Sequence, residues 1–160
     1  MDRRRLASSS SSSSSPSRGE VRAPLRHRQV RADHADEVAE DYCEAIAELA
    51  ASQGEARVTD LARRFGVSHV TVVKTIARLA RLRLVTTSRG QPVRLTPAGG
   101  RLARASARRH EIVKSFLLAL GLDDRTADRE AEGIEHHVGP RTLRLMEAFA
   151  GGSRPGRLRK

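Results

Sequence analysis

Residues 59–95 read TDLARRFGVSHVTVVKTIARLARLRLVTTSRGQPVRL. Thr59 can cap a short helix, with Asp60 in its first turn, where the helix dipole favours an anion. Leu61, Ala62 and Phe65 are the apolar positions of that helix. Gly66 permits a sharp turn, Val67 can plug the core, and Ser68 can cap the next helix. Val72, Ile76 and Leu79 then recur at helical spacing and form a buried stripe. A helix, a short glycine turn and a Ser-capped helix make the helix-turn-helix pattern. Leu84-Val85-Thr86-Thr87 and Val93-Arg94-Leu95 follow as two short strands, with Ser88-Arg89-Gly90-Gln91 as the turn between them. That hairpin is the wing of a winged helix.

Outward from this stretch the periodicity is helical. Val38, Tyr42, Ala45, Ile46 and Leu49 predict a first helix over about 36–53, ended by Gly54. Thr96-Pro97 opens a helix, with threonine as cap and proline at the first position, where no N–H is needed. It runs to about Leu120, and Gly121 stops it. Asp123 or Asp124 opens a further helix to about Val138. Gly139-Pro140 breaks that helix, and a last one covers about 141–150. The expected fold is mostly α: a winged helix-turn-helix domain over 37–100, then an all-helical domain over 101–150. Residues 1–36, with the serine run Ser8–Ser15, bury too little apolar surface to offset ordering entropy and are expected to be disordered. They read as a flexible linker, with a non-specific DNA-binding arm as the sharper alternative. Residues 151–160 are expected to be a loose basic tail.

The 160-residue chain carries 30 Lys+Arg against 19 Asp+Glu, a formal net charge of +11. No apolar run approaches the roughly 18 residues needed to span a bilayer. The start has no apolar stretch of signal-peptide type. The single cysteine, Cys43, excludes an internal disulfide framework and a cysteine-based zinc site. These features predict a cytoplasmic protein with no membrane partner and no small-molecule substrate. The charges are segregated: residues 37–54 carry a net −5, residues 55–109 a net +11, and residues 110–150 a net −3. The basic block coincides with the winged helix, which points to double-stranded DNA as a partner.

Within that block Ser68, His69, Val70, Thr71 and Lys74 lie at the exposed start of the third helix, the end that enters the major groove in this fold. Thr71 and His69 can reach base edges, Val70 or Val73 can touch a thymine methyl, and Lys74 suits a phosphate. Arg89 and Arg94 on the wing can contact the backbone or minor groove.

A second constellation is acidic. Asp41 and Glu44 are three apart on the first helix and face one direction. Glu132, Glu135 and His136 occupy i, i+3 and i+4 of a predicted helix, and His110 lies late in the helix after the wing. Four carboxylates and two imidazoles can thus converge from three helices. Unpaired carboxylates held together repel, and burial raises their pKa values; a divalent cation resolves the repulsion. His137 points about 100° away from His136 on a helix and reads as a neighbour or surface group. Cys43 reads as a small core residue. His110-Glu111-Ile112-Val113-Lys114 has lysine where a zincin has its second histidine. The Glu-x-x-His of di-iron bundles is absent, which leaves a carboxylate-bridged metalloenzyme as an alternative that does not explain the helix-turn-helix.

Glu40-Asp41-Tyr42-Cys43-Glu44, the Gly66-Val67-Ser68 turn, Arg108-Arg109-His110-Glu111 and Glu132-Gly133-Ile134-Glu135-His136-His137 together resemble the manganese transport regulators of the diphtheria toxin repressor family. The resemblance covers about residues 37–150. It implies a winged helix followed by a helical dimerisation domain, a homodimer, and Asp41, Glu44, His110, Glu132, Glu135 and His136 as metal ligands, for a pair of metal ions per subunit. It further implies binding to palindromic operators and repression of manganese uptake genes, with activation of export in some relatives. Iron-responsive relatives carry methionine and cysteine at the positions of Asp41 and Glu132. Here both are hard oxygen donors, which suit Mn²⁺. Mn²⁺ is the expected effector and Fe²⁺ the main competitor, an iron-responsive repressor being the alternative.

Overall fold

The computed structural model describes residues 22–152, with side chains from residue 34 onward. The chain divides into two compact units, Met1–His34 and Ala35–Lys160. The winged helix, the C-terminal helices and the acidic cluster all belong to the second. The tails expected to be disordered or loose fall largely outside the described residues.

Helix α1 spans Arg22–Gln53, so it begins well before the expected start near residue 36. Pro24 stands in its first turn, where a proline is tolerated. From Leu25 to Asp36 there is neither glycine nor proline, and Leu, Arg, Gln and Ala favour helix.

Helix α2 spans Val58–Phe65 and starts one residue before the expected cap. Arg57 holds the cap position, with no side-chain cap bond, and Thr59 falls inside the first turn. Gly66 ends the helix at φ 63°, ψ 28°, a left-handed conformation that costs glycine nothing. Val67 does not plug the core; it is 36% exposed. The space is taken by Leu61 and by Phe65, whose ring stacks on Tyr42 of α1 at a centroid distance of 4.3 Å. Helix α3 spans His69–Arg81, and the Ser68 hydroxyl accepts the Thr71 N–H at 3.1 Å as its cap. Val72, Ile76 and Leu79 are buried as expected. With Ala39, Tyr42, Ala45, Ile46 and Leu49 of α1 they form the first core.

The wing pairs β1 (Val85–Thr86) with β2 (Arg94–Leu95), antiparallel, Val85 opposite Leu95. The strands are shorter than expected. Pro92 has no N–H to give a ladder, and Val93 turns instead to Ala56, its N–H reaching the Ala56 carbonyl at 2.8 Å. Helix α4 spans Pro97–Ala119, capped by Thr96, whose hydroxyl accepts the Gly99 N–H and reaches the Arg83 carbonyl at 2.7 Å. Gly99 packs directly on the wing. A Cβ there would stand 2.0 Å from the Leu84 carbonyl oxygen.

Helix α5 spans Asp124–Ile134, capped by Asp123. It does not continue to Val138. Glu135–His137 tighten into a 3-10 turn, and Val138 and Gly139 are extended ahead of Pro140, consistent with the strain that proline places on the residues before it. Helix α6 spans Pro140–Ala150. Val113 and Leu117 of α4 meet Ala127 and Ala131 of α5 in a second core, flanked by Leu143 and Met146 of α6.

Candidate metal centre and nucleic-acid interface

The six candidate ligands line one cavity of about 710 Å³. Asp41 and Glu44 come from one turn of α1, because three residues along a helix bring side chains to the same face. His110 comes from α4 and Glu132 from α5. Glu135 and His136 come from the 3-10 turn.

Glu135 is central and 2% exposed. Its Oε2 lies 2.7 Å from His110 Nδ1, and its Oε1 lies 3.6 Å from His136 Nε2. Ser106, one turn before His110 and fully buried, donates its hydroxyl toward Glu135 Oε1 at 3.4 Å. Glu132 Oε2 lies 3.2 Å from His110 Nδ1. Donor atoms of His110, Glu132 and Glu135 all fall within 4.8 Å of one another. Asp41 Oδ1 lies 3.3 Å from His136 Nε2. The structure therefore draws His110, Glu132 and Glu135 into one tight group and joins Asp41 to it through His136. Glu44 shares the cavity wall and the Ser106 hydroxyl.

The electrostatics match a crowded acidic pocket. Burial pushes up the pKa values of Asp41, Glu44 and Glu135, and the charge of Glu132 adds to the rise in each case. Burial works against the charged forms of His110 and His136. Hydrogen bonds to Glu135 and Asp128 for the first, and to Glu40 for the second, outweigh it and raise both imidazoles. Without a cation these groups hold protons more tightly than usual.

Several functional neighbours were not read from the sequence. Asp128 faces His110 Nε2 at 3.4 Å and is gripped by Lys114 at 2.8 Å. Glu40 meets both His136 and Arg109. Ser106 sits i−4 to His110, on the same helical face, so the period around that histidine carried part of the signal; Arg109 and Glu40 needed the tertiary fold. His137 lies at the exposed edge of the same cavity, with Nδ1 3.5 Å from Glu37. Cys43 is fully buried and lies off the cavity wall; burial, then the Glu40 charge, push its thiol up to about 11.

On the winged helix, Ser68, His69, Val70, Thr71, Lys74, Arg89 and Arg94 are all exposed. Val70 is 60% and its neighbour Val73 47% exposed, unusual for valine on a helix that packs three other apolar residues. A cavity of about 520 Å³ lies between α3 and the wing, lined by His69, Val73 and Arg89 among others. Val73 belongs to this face as well, on the same exposed side as Val70.

Residues 34–91 match the family model described as the iron dependent repressor N-terminal DNA binding domain, and residues 96–154 match its metal binding and dimerisation domain. The chain belongs to the iron-dependent repressor family. It is 48% identical over 122 residues to the transcriptional regulator MntR of Salmonella typhimurium (strain LT2), which covers 76% of this chain and 78% of that protein. It is 34% identical over 99 residues to the HTH-type transcriptional regulator MntR of Lysinibacillus sphaericus (strain C3-41), over 62% of this chain and 71% of that one. Among solved structures, a manganese-dependent transcriptional repressor in complex with manganese superposes with a TM-score of 0.64 at 36% identity, over 74% of this chain. This chain spans 54% of the length of that repressor chain. The family is one of DNA-binding regulators, so the chain is a regulator and not an enzyme. No helix among the described residues is long and apolar enough to cross a membrane.

Proposed function

We propose that this chain is a manganese-responsive repressor that binds palindromic operators as a homodimer and shuts off manganese uptake genes when Mn²⁺ is bound. The observation that carries the reading is the position of Glu135, buried between the imidazoles of His110 and His136, with Asp41 of α1 meeting the same His136 nitrogen, Nε2.

The donor set fits a hard divalent cation. Four carboxylates and two imidazoles surround one cavity, and burial raises the pKa values of Asp41, Glu44 and Glu135. Oxygen-rich sites with a minority of imidazole suit Mn²⁺ and give softer ions less advantage. Asp41, Glu44, His110, Glu132, Glu135 and His136 would hold it, with room in the ligand count for a pair of ions. When bound, the cation supplies the positive charge that these groups otherwise take from protons.

The consequence for DNA follows from which elements carry the ligands. Asp41 and Glu44 stand on α1, whose other face is part of the winged-helix core. His110, Glu132, Glu135 and His136 stand on the dimer half. Ligation across that boundary narrows the positions that α1, and with it α3, can take. In a twofold dimer it narrows the spacing of two recognition helices, and a palindrome accepts only some spacings. Affinity for the operator rises to the extent that the ligated arrangement is the binding-competent one.

A gel shift on the promoter of a manganese transporter gene, run with Mn²⁺, Fe²⁺, Co²⁺ and Zn²⁺, tests this. Mn²⁺ should promote binding at the lowest free concentration consistent with its cellular supply, with Fe²⁺ as the nearest competitor. Activation by Zn²⁺ but not Mn²⁺ would overturn it.

A further inference from the structure

The imidazole of His136 meets different partners on its two sides. Nε2 faces the candidate ligands, 3.3 Å from Asp41 Oδ1 and 3.6 Å from Glu135 Oε1. Nδ1 faces away from them and lies 2.8 Å from Glu40 Oε2. Glu40 is absent from the cavity lining, although it neighbours Asp41 in sequence. The same Oε2 stands 2.5 Å from Arg109 Nη2 of α4. The two charged groups are in ionic contact, but Nη2 is off the hydrogen-bond line, and Arg109 Nε has no partner among the described residues. Both side chains are mostly buried, 17% exposed for Glu40 and 22% for Arg109.

A carboxylate only accepts hydrogen bonds, so the short contact to Glu40 is made by an Nδ1–H. A neutral imidazole has one such proton. If Nδ1 keeps it, Nε2 presents a bare lone pair, and here that lone pair points at Asp41 and Glu135. The guanidinium of Arg109 balances the Glu40 charge. Hydrogen bonds of this kind behind a ligating histidine fix both its tautomer and its ring orientation. The contact also joins α1 and α4 to the 3-10 turn through two side chains, Glu40 and Arg109, that are not candidate ligands.

We propose that Glu40 is a positioning residue of the metal centre: it accepts the Nδ1 proton of His136, aims the Nε2 lone pair at Asp41 and Glu135, and is held by Arg109. The inference rests on the manganese-binding reading above.

Two measurements on the full chain test it, on the wild type and on Glu40→Gln. The first is a long-range proton–nitrogen spectrum of the histidine-labelled, metal-free protein, above the pH at which the imidazoles titrate. The second is calorimetric titration with Mn²⁺. The wild type should show His136 with its proton on Nδ1. A glutamine amide can donate as well as accept, so the variant should show mixed tautomers. Its Mn²⁺ affinity should fall roughly 10- to 100-fold. A wild-type His136 protonated on Nε2 overturns the proposal without any variant. An affinity within about twofold of wild type overturns it, as does a loss of affinity with the tautomer unmoved, which marks a merely structural role. A wild type that binds no Mn²⁺ would instead overturn the proposed function, and the positioning role with it.

Discussion

His110 Nδ1 and Glu135 Oε2 stand 2.7 Å apart, linking α4 to the turn that follows α5. With Glu135 almost wholly buried, this contact makes the acid–base state of the cavity part of the fold's stability.

The pH dependence has a definite sign. Asp41, Glu44, Glu135, His110 and His136 all have raised pKa values in the folded chain. Each therefore contributes stability that is fully present below its unfolded pKa and lost as pH rises through its folded one. The carboxyls lose theirs above the ordinary range of about 4 to 4.5, and the imidazoles above about 6.5. Asp123 and Asp128 have lowered values and titrate below this window. The metal-free protein should melt at progressively lower temperature from about pH 5 to pH 8, while the stabilisation given by Mn²⁺ grows because its ligands must shed protons. Thermal melts at constant ionic strength, with and without Mn²⁺, check both. A metal-free midpoint that climbs over that range contradicts the assignment.

Asp41→Ala should separate folding from response. Asp41 is partly exposed on α1 and lies outside the buried core, so a folded dimer is expected by sedimentation. Metal-stimulated operator binding should fall at least about tenfold, within the usual range of coupling between two sites. Glu135→Ala should fall at least as far. An undiminished Mn²⁺ response in both variants refutes the bridging role.

The joint between wing and α4 can be probed at Gly99. A methyl group there meets the Leu84 carbonyl oxygen at 2.0 Å, a backbone atom that cannot swing away. Gly99→Ala should cost about 1–3 kcal/mol in denaturant unfolding, the usual penalty for overpacking. Gly133 has nothing within 4 Å of its position for a Cβ and lies in α5. Gly133→Ala should be neutral or stabilising by up to about 1 kcal/mol. Equal behaviour of the two variants would show that Gly99 is not a close-approach site.

Lys74 is expected to contact a phosphate. Lys74→Ala should weaken binding to all sequences alike and reduce the slope of log affinity against log salt by roughly 0.9. Fluorescence anisotropy across a salt series reads this directly. A slope equal to wild type means that Lys74 meets no phosphate.

The winged helix was legible because its signals are local. The stripe Val72, Ile76 and Leu79, the Ser68 cap and the Thr96-Pro97 start each depend on a few neighbouring residues, and each appears in the structure. Val67 and Thr59 were misread because their roles depended on competitors. Phe65 packs against the core with its ring on Tyr42 while Val67 stays exposed, and Arg57 precedes Thr59 at the cap. The short wing strands follow from Val93 turning to Ala56, a pairing made across distant residues. The six candidate ligands were readable from spacing and from a family resemblance, and the structure brings them to one cavity. Their supporting contacts were not, because Glu40, Arg109 and Asp128 resemble ordinary surface charges until α1, α4 and α5 are packed together.

Cys43, one residue from Glu44 in sequence, keeps its proton at physiological pH because its surroundings push the thiol up to about 11. A protonated, fully enclosed sulfur is a poor nucleophile and a poor ligand. Peroxide finds no thiolate to oxidise, and thiophilic ions find no sulfur to capture. The cavity is thus faced by oxygen and nitrogen donors rather than by this sulfur, and enclosure shields the single cysteine from oxidants.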